Sequence, residues 1–343
     1  MIENAKNTIR LFIYNNLKKH PSDIVALVAK TFDISRQRAH AHMAKEVKNG
    51  KITKIGRTSG VRYSLVDNNY KSFNLDITPT LDESWVWYKH IKPIVVGLPA
   101  NIVASCNYGF TEILNNVKDH SEGTFTHIKV RKTKRHIDIT IVDNGVGIFN
   151  KIQNALHIES VNEAILHLSK GKFTTDPDNH TGEGIFFTSR IFDIFSIYSD
   201  DLYYSFVKRE WLLSSEKQHD IDPTIKGTLI NMKLSLFSSV TPKKIMDEYT
   251  DKNLGFNKTI IAVSLSADPG DPHVSRSQAK RLLVGLEKFK NIVLDFKGVE
   301  SVGPAFIDQI FRVFKNENPH KFIKFINTNK EVKDMIVRTI SST

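Results

Sequence analysis

A single cysteine, Cys106, in 343 residues leaves no partner for an internal disulfide and no multi-cysteine metal site. That scarcity fits a reducing, cytoplasmic compartment. No apolar run approaches the ~18–20 residues that a membrane-spanning helix requires. The first ten residues are polar and then amphipathic, and do not read as a secretory signal. No G-x-x-x-x-G-K-[ST] run occurs, so a Walker phosphate loop is excluded, and the HRD and DFG elements of eukaryotic-type protein kinases are missing. Acidic residues are few: 37 Asp and Glu face 48 Lys and Arg, for a net charge of +11.

That surplus is local. Residues 1–66 carry 13 Lys and Arg against 4 Asp and Glu, nine of the eleven net charges. A concentrated basic segment is the footprint of a polyanion binder, because neutralised phosphates release counterions. Helical spacing over Ile2 to Lys19 ends at His20-Pro21. A second helix is predicted from Ile24 to Phe32, and a third starts behind the capping residue Ser35 and stops near Gly50. Ile52 to Gly56 and Val61 to Leu65 read as a hairpin with a basic tip, Arg57-Thr58-Ser59-Gly60. Three helices and a hairpin resemble a winged helix-turn-helix domain. The resemblance implies double-stranded DNA as the partner, read by Arg36, Gln37, Arg38 and His40 on the third helix and by Arg57 and Arg62 on the wing.

Residues 67–82 read as a linker, and the chemistry concentrates after it. In NIVASCNYGFTEILNNVKDHS, the apolar residues Ile102, Val103, Phe110, Ile113, Leu114 and Val117 share one helical face. Glu112, Asn116 and His120, four apart, form a polar stripe on the same helix. Two strand-like runs follow, the second ending in Asp143-Asn144-Gly145-Val146-Gly147. Further on, Thr181-Gly182-Glu183-Gly184 opens another helix. A glycine-rich turn at a helix N-terminus offers free N–H groups to a phosphate.

These elements, in this order over residues 83–236, resemble the GHKL or Bergerat-fold ATP-binding family. The resemblance implies ATP and Mg²⁺ as cofactors. It implies Glu112 as the catalytic base or nucleophile-orienting group and Asn116 as the metal ligand, with Asn115 and His120 beside it. Asp143 would accept the adenine amino group, supported by Thr228 of the late strand Lys226-Gly227-Thr228-Leu229-Ile230. Gly145 and Gly147 would pack against base and ribose. Residues 170–184 would form a lid, with Thr181, Gly182 and Gly184 on the phosphates and Lys170 or Lys172 adding charge.

Residues 237–255 read as a second linker. Beyond them, strands and helices alternate as in a small α/β domain. Val293-Leu294-Asp295-Phe296-Lys297-Gly298-Val299 followed by a helix is similar to STAS-like domains over residues 256–343. Where that fold carries its phosphorylated hydroxyl, this chain reads Gly303-Pro304-Ala305, and Ser301 is the nearest hydroxyl. The expectation is therefore an α+β multidomain protein: winged helix, Bergerat α/β sandwich and small STAS-like α/β domain. Analogy with both motif families implies a homodimer, with a protein partner for the last domain. Two functions stay open. One is a regulator that couples nucleotide state to DNA binding, with slow ATP hydrolysis. The other is an anti-sigma-factor-like serine/threonine kinase acting on a partner or on its own C-terminal domain. A sensor histidine kinase fits poorly, because residues 67–99 leave little room for a helical hairpin and offer only His90.

Overall fold

A computed structural model describes the chain except residues 1, 58–59, 66–68, 159–160, 175–180, 200–201, 208–209, 215–226, 254, 268–271 and 342–343. It is a mixed α/β protein with three sheets among the described residues. The chain divides into two compact units, residues 1–68 and 69–343.

The first unit holds α1 (Ile2–Asn16), α2 (Ile24–Phe32), α3 (Arg36–Lys48) and an antiparallel hairpin of β1 (Ile52–Ile55) and β2 (Arg62–Leu65). Ser35 caps α3 by accepting from the Arg38 N–H at 3.2 Å, a contact worth about 1 kcal/mol. Ile13, Leu17, Ile24, Val28, Met43, Ile52 and Tyr63 form its own core. The Tyr14 hydroxyl donates to the Glu46 carboxylate, tying α1 to α3, and burial together with that carboxylate pushes the Tyr14 pKa up to about 12.

The second unit is built on a seven-stranded antiparallel sheet. Its strands are β3 (Tyr70–Asp76), β4 (Phe125–Lys132), β5 (His136–Asp143), β6 (Ile194–Ser199), β7 (Leu202–Val207), β8 (Glu210–Ser214) and β9 (Thr228–Ser235), in the order β3-β4-β5-β9-β6-β7-β8. The stretch expected as a linker at 67–82 thus contributes an edge strand, paired with β4 from Tyr70↔Arg131 to Asp76↔Phe125. Its alternation is masked because the half-buried positions include Lys71 as well as Phe73 and Leu75. Residues 83–95 are helical: α4 (Glu83–Val86) and α5 (Lys92–Val95) flank a π-turn segment, Trp87–Ile91. Pro93 has no N–H to give the Lys89 carbonyl, and the Lys71 ammonium donates there instead at 3.4 Å.

The 21-residue α6 (Ala100–His120) lays Ile102, Cys106, Phe110, Ile113, Leu114 and Val117 on the core. With α6 come α7 (Ile148–Leu156), α8 (Val161–Lys170) and α9 (Gly184–Ile191). The second expected linker, 237–255, is also ordered: α10 (Pro242–Tyr249), capped by Thr241, packs on α9.

The chain ends in a parallel sheet of β10 (Lys258–Ala262), β11 (Asn291–Asp295) and β12 (Phe322–Ile326). Around it lie α11 (Arg276–Leu283), α12 (Pro304–Asp308), α13 (Lys315–Glu317) and α14 (Lys330–Ser341). This layer shares one apolar core with the large sheet and its helices. Phe256 is the joint, with ring centroids 4.7 Å from Phe186, 5.0 Å from Phe187 and 5.2 Å from Phe289.

Candidate functional site: a cleft along one helix

Strand alternation sets one end of the site. On β5 the inward residues are Ile137, Ile139, Ile141 and then Asp143; on β9 they are Thr228, Ile230, Met232 and Leu234. Ile141 faces Ile230 across the ladder, so Asp143 and Thr228 stand at the same end of adjacent strands. Asp143 is 4% exposed and its carboxylate accepts from the Gly145 N–H at 2.8 Å and the Thr228 N–H at 3.3 Å. Burial raises its pKa above the ordinary carboxylate value, and the two N–H donors oppose that rise. The Thr228 hydroxyl accepts from the Ile148 N–H at 2.9 Å, fixing the start of α7. Gly145 is required by close approach, because a Cβ there would land on the Ser121 carbonyl.

Helix periodicity sets the rest. With one face of α6 in the core, Glu112, Asn116 and His120 line the cleft, joined by Asp143, Gly147, Thr228, Thr181, Gly182 and Gly184. Glu112 meets the first turn of α9 so closely that a Cβ on Gly184 would fall on its carboxylate oxygen. Ser121 lies nine positions after Glu112, so the cleft follows α6 for about 13 Å. The Asn116 amide nitrogen is buried without a hydrogen-bond partner. An unmet buried donor in a cleft wall is costly unless a ligand satisfies it.

Twelve expected cofactor residues thus separate into groups. Asn116, His120, Asp143, Gly147, Thr181, Gly182, Gly184 and Thr228 line the cleft with Glu112, and Gly145 supports Asp143 from behind. Asn115, on the same helix, is outside the lining. Lys170 is a correction, and Lys172 stands outside the lining. The Lys170 side chain is 2% exposed and its Nζ donates to the carbonyls of Arg281 at 3.0 Å and Val284 at 2.8 Å, while Lys172 Nζ donates to the Lys288 carbonyl at 3.2 Å. The open carbonyls at the end of α11 take the Lys170 amine away from the cleft. Burial pushes the Lys170 pKa down to about 7. Of the expected lid, residues 175–180 lie outside the described residues, as does Lys226 before β9.

Two wall residues, and a third that feels the charge of one of them, were not among the expected site residues. Lys151 donates to the His120 carbonyl at 2.7 Å and to Glu122 at 2.9 Å. Glu183, between the two glycines, has its pKa raised by burial against the opposing charge of Lys172. Tyr108, one turn before Glu112, has its pKa raised by burial and by the charges of Glu112 and Glu183. A carboxylate between two glycines was the one visible signal among them.

Among the described residues, no group of three or more His, Cys, Asp and Glu side chains could hold a metal ion. Asn116 and Glu112 could supply one or two oxygen ligands, so the donor set suits a hard cation that brings its other oxygens from a ligand and water.

In the first unit, Arg36, Gln37, Arg38 and His40 are all exposed on α3, and Arg57 and Arg62 are exposed on the hairpin. Thr58 and Ser59 of the tip lie outside the described residues. No described helix is long and apolar enough to cross a membrane.

A search of curated proteins finds no match to the chain. Residues 278–333 do match a family, the STAS-like domain of unknown function (DUF4325), which identifies the layer around β11 and α12 as STAS-like.

Proposed function

We propose that the cleft binds ATP with Mg²⁺ and that the protein is a nucleotide-responsive, DNA-binding regulator of the GHKL, Bergerat-fold kind. The convergence of Asp143 and Thr228 with Glu112, Asn116 and the Gly182–Gly184 turn along one face of α6 carries this reading. These residues come from four separate segments, and about 13 Å suits a flat base, a sugar and a chain of phosphates.

In this reading the ionised Asp143 accepts from the exocyclic amino group of adenine, and Thr228 holds the adjoining backbone. Gly147 leaves room for base and ribose, and the Gly145 N–H holds the Asp143 carboxylate. The first N–H groups of α9, at Gly184, meet phosphate oxygens. Asn116 would hold the metal through its amide oxygen, and the metal would neutralise phosphate charge. That contribution is needed here: Glu112 and Glu183 already place two carboxylates at the phosphate end, and like charges repel without a counterion. Glu112 orients the attacking nucleophile. Residues 1–66 supply the DNA grip as a winged helix, with Arg36, Gln37, Arg38 and His40 toward the groove and Arg57 and Arg62 on the backbone.

The matched STAS-like region favours a second reading, a serine/threonine kinase in which Glu112 activates a protein hydroxyl. Ser301, just before α12, is the hydroxyl nearest to the position where STAS-like domains carry their phosphoacceptor. The test is direct. ATP with Mg²⁺ raises the melting temperature of the wild type, and Asn116→Ala abolishes that rise. An undiminished rise in Asn116→Ala removes the metal role. γ-Labelled ATP then separates the readings: label on protein indicates the kinase, and free phosphate alone indicates the regulator.

A further inference from the structure

Residues 170–172, at the end of α8, are held to the STAS-like layer by contacts running in both directions. Lys170 Nζ donates to the carbonyls of Arg281 and Val284, and the Thr259 hydroxyl donates back to the Lys170 carbonyl at 2.8 Å. Lys172 Nζ donates to the Lys288 carbonyl at 3.2 Å, and Lys288 Nζ donates to the Lys172 carbonyl at 3.4 Å. The Lys172 ammonium also lies 5.0 Å from the Phe289 ring centroid and 5.5 Å from that of Phe256. Its backbone is left-handed, with φ 56°, a conformation that a lysine adopts only when its surroundings hold it there. The negative charges acting on Lys172 are those of Glu183, which lines the cleft with Glu112, and of Asp251, opposed by the positive charges of Lys288 and Lys321.

Lys172 therefore stands between two sets of partners. On the STAS-like side are a carbonyl and two ring faces; on the cleft side is negative charge. We propose that Lys172 is a positioning residue that couples the charge in the cleft to the 285–289 turn of the STAS-like layer, releasing Lys288 when a polyphosphate fills the cleft. The proposal rests on the nucleotide reading above and extends it to regulation of the same site. The filled cleft offers the ammonium more negative charge than Glu183 alone, while the Lys288 carbonyl and the rings stay as they are. The linkage is reciprocal: whatever grips the 285–289 turn in its released form tightens nucleotide binding by the same factor.

Hydrogen exchange on the full chain, with and without a non-hydrolysable ATP analogue and Mg²⁺, tests this. The reporters are the Lys288 and Phe289 amides, which close a turn onto Gly285 and Leu286 at 3.3 and 3.1 Å. Calorimetry on the same samples measures uptake. In the wild type, nucleotide speeds exchange at 285–289 severalfold. In Lys172→Ala the nucleotide-dependent change disappears while uptake persists, and Lys172→Arg restores it. Glu183→Gln, which alters charge and not volume, slows exchange at 285–289 in the absence of nucleotide. Uptake with unchanged wild-type exchange, an undiminished response in Lys172→Ala, or unaltered exchange in Glu183→Gln overturns the coupling alone. No uptake by folded wild type overturns the nucleotide reading and the coupling with it.

Discussion

At Asp143 a single side chain carries two opposed demands. Its inward position at the end of β5 buries it, and burial raises its pKa. The ionised form is the stronger acceptor for an amino group, because both of its oxygens accept and carry charge. The Gly145 and Thr228 N–H groups favour that form and limit the rise. Acidification therefore neutralises Asp143 earlier than an exposed aspartate. Adenine-nucleotide affinity should fall as pH drops toward that raised value and hold steady above it. Asp143→Asn should show weak affinity with a much flatter acid limb, measured by calorimetry across pH. An equal acid limb in the variant would place the titrating group elsewhere. Stability should move the opposite way. A carboxyl whose folded pKa lies above its unfolded one binds more protons when folded, so its contribution grows as pH falls through the folded value.

At the level of elements, the packing of α6 on α9 is where helix propensity and site geometry part company. Gly184 has an ordinary negative φ and opens α9, and exchanging glycine for alanine inside a helix normally gains about 1 kcal/mol. Here the added methyl falls on the Glu112 carboxylate. Gly184→Ala should remove nucleotide-induced stabilisation and turnover, while the melting temperature without nucleotide changes by only a few degrees. A variant with normal nucleotide response would separate Glu112 from α9. This part of the cleft was legible in the sequence, because the i, i+4 stripe on α6 and the two glycines before α9 are local patterns. The strand β3 was not, since its polar residues hide the alternation and its partner β4 lies some fifty residues away. Nor was the destination of Lys170, whose carbonyl partners follow it by more than a hundred residues. A basic residue near a glycine-rich turn reads as a phosphate ligand until tertiary contacts take it elsewhere.

For the whole molecule, the distribution of apolar core predicts which cuts the chain survives. The first unit has a separate core, and its boundary falls at 68–69. The STAS-like layer shares its core with the large sheet, and residues 237–255 between them hold α10. Removing residues 256–343 would uncover Phe186 and Phe187, which pack on Phe256, and strip Lys170 of its carbonyl partners. Each uncovered large apolar side chain costs about 1.5–3 kcal/mol. A few such losses approach the roughly 5–15 kcal/mol that keeps a domain folded. The chain 69–343 should therefore unfold in one cooperative transition by circular dichroism, whereas 1–255 should lose cooperativity in its large-sheet portion. A sharp two-state melt of that portion in 1–255 would show the shared core to be dispensable. The same pair of truncations isolates the basic charge. With nine of the eleven net positive charges in residues 1–66, the steep salt dependence of DNA binding should stay with 1–255 and vanish from 69–343, read by fluorescence anisotropy from low to high salt. Salt-sensitive DNA affinity retained by 69–343 would move the nucleic-acid surface out of the first unit.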